Sequence, residues 1–158
     1  MTRTAMQCLG AATRIESLAQ ELYSGLATTF QHQPYLRELF TQLAAEEGQH
    51  AMRIRLLERH QGKAPWPQET IDRVSADLDA VQEQMTAMKE SFRMLSLVAD
   101  ARPVLRHLAT LEERFGTIHA EELARSSEPE IQKLFGSLAQ QDSRHRELIQ
   151  KALERNAA

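Results

Sequence analysis

The chain has 158 residues, 42% of them hydrophobic and 26% charged, which suits one soluble domain with a proper core. A net charge of -3 gives no electrostatic case for nucleic acid. The single cysteine, Cys8, rules out an internal disulfide framework or a CxxC metal knuckle, no apolar run approaches membrane-spanning length, and the first residues lack the apolar core of a signal peptide. A cytoplasmic protein that binds neither nucleic acid nor membrane is expected.

Five helices are predicted, at about 3–30, 35–60, 69–98, 102–125 and 130–155. In the first, Leu9, Ala12, Glu16, Ala19, Tyr23, Leu26 and Phe30 follow one another in steps of three and four, so one carboxylate interrupts an apolar stripe. Pro34 ends that helix, because a proline disfavours helix in the residue before it. The second stripe reads Leu36, Phe40, Leu43, Glu47, His50, Ile54 and Leu57, with an acid and a histidine one turn apart on one face. A short link makes the two helices an antiparallel hairpin. Glu16 and Glu47 each lie about fifteen residues from its turn, which places both roughly 22 Å along the helices at one level.

Gly62, Pro65 and Pro67 mark a loop, and the third helix carries an uninterrupted seam of Ile71, Val74, Leu78, Val81, Met85, Met88, Phe92 and Leu95. That seam fits either a crossover element covering the bundle or a partner surface. The fourth helix reads Leu105, Leu108, Glu112, Phe115 and His119, and spacing favours Glu112 over Glu113 as the inward acid. The fifth carries Ile131, Phe135, Leu138, Asp142, His145 and Ile149, again with an acid and a histidine three residues apart.

The stretch 37–50 aligns with 132–145 at its leucine, phenylalanine, leucine-alanine and histidine positions, and each is preceded by a helix with one inward glutamate. Two hairpins of one design, folded face to face, give a four-helix bundle in which Glu16, Glu47, His50, Glu112, Asp142 and His145 converge at mid-height. That is the pattern of di-iron or di-manganese carboxylate bundles. Six ionisable groups in one core layer are hard to satisfy by hydrogen bonds among themselves, and a donor set this rich in oxygen suits iron better than tetrahedral zinc, with manganese also admitted. Histidine binds a metal only when deprotonated, so occupancy is expected to fall below about pH 6. Tyr23 is a candidate to relay an electron or proton to the site, the alternative being core packing with its hydroxyl hydrogen bonded. His119, at the equivalent position of the second hairpin, is read as an extra ligand, a base behind the ligands, or a satisfied core histidine.

On these residues, most of all Leu43 to His50 and Ile15-Glu16 with Tyr23, the chain resembles the ferritin-like superfamily and, within it, the rubrerythrin-like proteins. The resemblance implies an all-α, ferritin-like antiparallel four-helix bundle of two hairpins with an additional long crossover helix, formed by a single domain. It implies two iron ions and an oxidoreductase that reacts with peroxide or oxygen, or oxidises and handles ferrous iron, in the setting of oxidative stress. Glu16 and Glu112 would be terminal or bridging carboxylates, Glu47 and Asp142 bridging ones, and His50 and His145 terminal ligands. Three departures stand out. Asp142 replaces the usual glutamate, Phe115 occupies the position of a further glutamate linked to ligand switching in that family, and the lone cysteine leaves no rubredoxin-type site, so electrons must come from an external donor. A homodimer is expected. From another functional class, the chain reads as a metal-free or structurally metallated bundle serving assembly.

Overall fold

The computed structural model describes residues 4–61, 66–95, 100–123 and 128–156. Among these residues there is no strand, and the helices are α1 (Ala5–Thr29), α2 (Pro34–Gln61), α3 (Gln68–Leu95), α4 (Ala101–Thr117) and α5 (Pro129–Asn156). None is long and apolar enough to cross a membrane. The protein is an all-α, ferritin-like bundle.

Local sequence explains where the helices begin. Thr4 caps α1 through a reciprocal capping box with Gln7, and the Asp100 side chain accepts a hydrogen bond from the Arg102 backbone at the head of α4. Prolines 34 and 129 open α2 and α5, where the missing N–H has no intrahelical partner to lose. Between α1 and α2 the chain reverses within a few residues, Gln33 N–H bonding to Phe30 C=O at 2.9 Å.

Side-chain pairs set the helix directions. Phe30 packs on Phe40 beside the first turn while Gly10 faces Glu58 at the far end, so α1 and α2 are antiparallel. Arg53 reaches Ser137 and Arg144 reaches Glu46, which makes α2 and α5 antiparallel neighbours. Pairing of Glu113 with Arg146 and of His119 with Asp142 makes α4 and α5 antiparallel as well. Helix α3 runs parallel to α1, with Cys8 beside Ser75 near one end and Glu21 beside Lys89 near the other. Its seam from Ile71 to Phe92 is buried within the chain's own core. The crossover reading of this helix therefore holds, and that seam is not a free surface for a partner. Leu95, the last seam residue, has a side chain outside the described residues.

One element departs from the expected continuous helix over 102–125. After Thr117 the backbone widens into a π-helical turn, Ile118–Leu123. Within it, Ile118 and His119 are both buried. Such turns recur at functional sites, and this one carries His119. The side chain of Glu122, a candidate hydrogen bonder behind the ligands, falls outside the described residues.

The core is continuous from end to end of the bundle. Tyr23, Phe40, Phe115 and Phe135 are fully buried among leucines from α1, α2 and α4. Burying each such apolar side chain stabilises the fold by about 1.5–3 kcal/mol. Into this apolar layer the sequence places seven ionisable side chains that are all at most 3% exposed: Glu16, Glu47, His50, Glu112, His119, Asp142 and His145.

Candidate metal centre

Helical periodicity brings all six sequence-predicted ligands inward, and each is essentially inaccessible to solvent. Glu112 is the inward acid of its pair; Glu113 is exposed and lies 3.5 Å from Arg146 on the surface. Two groups have ligand atoms close enough to share an ion: Glu16, Glu47 and His50 form one, and Glu47, Glu112 and His145 the other. Glu47 belongs to both. Its Oε2 lies 3.0 Å from His50 Nδ1 and its Oε1 lies 3.1 Å from His145 Nδ1, so one carboxylate straddles the two triads. Glu16 Oε2 completes the first triad at 3.5 Å from His50 Nδ1, and Glu112 Oε2 completes the second at 3.6 Å from His145 Nδ1. The two imidazoles lie nearly parallel, with centroids 5.5 Å apart.

Asp142 belongs to neither triad. Its Oδ2 lies 2.6 Å from His119 Nδ1, and the other nitrogen of that ring lies 3.1 Å from Glu16 Oε1. His119 therefore stands between the two acids, in contact with Phe135 and Phe115. Across the bundle, the Tyr23 hydroxyl donates to Glu112 Oε1. The two hairpins thus repeat a contact as well as a sequence: the side chain seven residues after each inward glutamate reaches the inward glutamate of the other hairpin.

A second repeated contact lies outside the triads. His50 Nε2 is hydrogen bonded to Gln141 Oε1, and His145 Nε2 to Glu46 Oε2 at 2.7 Å. Each histidine thus turns Nδ1 inward and anchors Nε2 on the opposite hairpin, which fixes the ring orientation. Glu46 is itself held by Arg144 at 2.7 Å and by Gln42 at 2.9 Å. Periodicity singles out neither Glu46 nor Gln141, since both lie off the apolar stripes. The signal was present in the repeat, which aligns Glu46 with Gln141, each immediately before the acid of its acid-x-x-His pair.

Packing so many acids into one layer distorts their titration. Burial works against ionisation of Glu16, but the adjacent His119 and His50 rings outweigh it and hold the carboxyl well below its ordinary range. Burial and the charges of Glu16 and Glu112 push Glu47 well above it. Burial would favour neutral imidazoles. The carboxylates of Glu16 and Glu47 instead push His50 up to about 10, and those of Glu112 and Glu47 push His145 up to about 12. Without a metal, protons take the place of cations between the acids.

Protons do not satisfy the layer fully. Glu16 Oε1 and Oε2, Glu47 Oε2, His50 Nδ1, Glu112 Oε2 and Asp142 Oδ1 are buried without an aligned hydrogen-bond partner. Orphaned buried polar atoms are rare in folded proteins, and of these Glu16 Oε2, Glu47 Oε2, His50 Nδ1 and Glu112 Oε2 belong to the two triads. They supply oxygen and imidazole donors from four helices, the chemistry of a dinuclear carboxylate centre. The residues present fit two metal ions.

Comparison with known proteins agrees with this geometry. No curated protein and no solved structure matches the chain. The family model described as Rubrerythrin matches residues 7–153, which span both hairpins and the crossover helix. The chain belongs to the rubrerythrin family.

Proposed function

We propose that this protein is a non-haem di-iron oxidoreductase that reduces peroxide with electrons from an external donor, or oxidises and handles ferrous iron. One observation carries the proposal: two acid–histidine triads share Glu47 in a buried layer where Glu16, Glu47, His50 and Glu112 each keep a buried polar atom without a hydrogen-bond partner. Glu16 and His50 would hold one ion and Glu112 and His145 the other, with Glu47 between them. Iron supplies reversible one-electron oxidation at each position, which manganese matches less readily and zinc not at all.

The chain's own residues have definable tasks. Gln141 and Glu46 hold His50 and His145 through Nε2, so that each Nδ1 faces inward. Tyr23 keeps its proton, because burial and the charges of Glu112 and Glu47 push the phenol well above its usual range. Its hydroxyl is therefore a donor to Glu112, placed to deliver a proton or an electron at the edge of the second triad. Phe40, Phe115 and Phe135 close the layer against bulk water, strengthening electrostatic interactions inside it. With one cysteine, the chain has no four-thiolate iron site of its own, which supports a separate electron donor.

The test is metal content and reactivity of protein purified from iron-supplemented cells. The proposal requires about two irons per chain, and rapid oxidation of the reduced protein by peroxide or oxygen in stopped flow. Faster reaction with peroxide than with oxygen marks the peroxidase, and turnover of added ferrous iron marks the ferroxidase. Two bound irons inert to both oxidants would refute the redox function.

A further inference from the structure

The two hairpins are built alike, but their outer contacts on the metal-facing histidines are not chemically equal. His145 is backed by a carboxylate, Glu46, whereas His50 is backed by a neutral amide, Gln141. The rings themselves are set alike: both face inward through Nδ1, both use Nε2 outward, and they lie nearly parallel at 5.5 Å, although the acids beside them differ in partner, Glu16 meeting His119 and Glu112 meeting Tyr23. A carboxylate accepting the Nε2 proton makes an imidazole more basic and a stronger metal ligand, and a neutral carbonyl does so less. Arg144 fixes the Glu46 carboxylate in place at 2.7 Å, but Arg144 is largely exposed and screened by water.

We propose that Glu46 and Gln141 are positioning residues that make the two metal positions inequivalent, so that the Glu47–Glu112–His145 position fills first and the Glu16–Glu47–His50 position second. The inference rests on the dinuclear reading above and adds an order of loading to it. Filling the carboxylate-backed position first leaves the amide-backed ion as the more weakly held and more readily exchanged of the two.

Anaerobic calorimetric titration of the metal-free chain with ferrous iron tests this. The wild type is expected to bind two ions in two classes; His145→Ala should abolish the tighter class and His50→Ala the weaker. Glu46→Gln is expected to weaken the tighter class about 10- to 100-fold with little effect on the other, the usual cost of removing such an outer partner. Gln141→Glu should strengthen the weaker class, and the double exchange should invert the order of filling. A merely structural role for either residue would not move the two classes in opposite directions. Two ions bound with equal affinity, or classes unmoved by Glu46→Gln and Gln141→Glu, would overturn the inference while leaving the dinuclear centre intact. No binding by the wild type would overturn the centre and the inference together.

Discussion

Replacing Glu47 by glutamine probes the centre at the one residue both triads share. Glutamine keeps the shape of the side chain and an acceptor for His145 Nδ1, 3.1 Å away. Its amide N–H then faces His50 Nδ1, 3.0 Å from Glu47 Oε2, so the metal-free variant is expected to lose about 1–3 kcal/mol relative to metal-free wild type, the cost of one unmatched buried hydrogen bond. Metal-loaded proteins should differ far more. An ion present at a hundredfold excess over its Kd stabilises a folded protein by about 2.7 kcal/mol per site, so two filled sites contribute about 5 kcal/mol. For a chain of this length that corresponds to a rise in Tm of roughly 10–20 °C. Glu47→Gln should abolish the whole rise, whereas His145→Ala, which removes a ligand from one triad, should abolish about half. Differential scanning calorimetry with and without ferrous iron under nitrogen reads both quantities. A Glu47→Gln protein that retains the full metal-induced rise would refute the shared-ligand geometry.

Tyr23→Phe is expected to leave iron content unchanged but to slow oxidation of the reduced centre, measured by stopped flow; unaltered oxidation kinetics would confine Tyr23 to packing. Raised histidine pKa values contribute stability that is complete below the unfolded value of 6.5 and is lost as pH rises through the folded values of about 10 and about 12. The Tm of the metal-free protein should therefore fall steadily from pH 6.5 to pH 10, and a flat profile over that window would contradict the clasped imidazoles. Phe40→Ala opens a cavity between Phe30 and Tyr23 and is expected to cost about 3–5 kcal/mol in urea denaturation.

Much of this centre is legible in the sequence because a long helix converts spacing into direction. Steps of three and four residues place Glu16, Glu47, His50, Glu112, Asp142 and His145 in the core, and all six are buried there. The same periodicity separates Glu112 from exposed Glu113. What periodicity does not show is which inward groups meet. Asp142 has the register of a bridging acid, but one fewer methylene and the ring of His119 at 2.6 Å set it apart from both triads. His119 has the inward register of its stripe, but spacing alone does not show that its ring lies between Glu16 and Asp142. Glu46 lies outside the apolar stripe, and only the packing of α2 against α5 brings its carboxylate onto His145. Contacts of this kind depend on how two helices meet, which a stripe on one helix does not encode.

Crystals of the iron-loaded protein measured at the iron absorption edge would show whether Glu47 bridges a dinuclear centre. Two anomalous peaks are expected on either side of the Glu47 carboxylate, about 3.5–4 Å apart as in other two-metal sites, one beside His50 Nδ1 and one beside His145 Nδ1. A single peak, or iron located away from the Glu47 carboxylate, would contradict such a bridge.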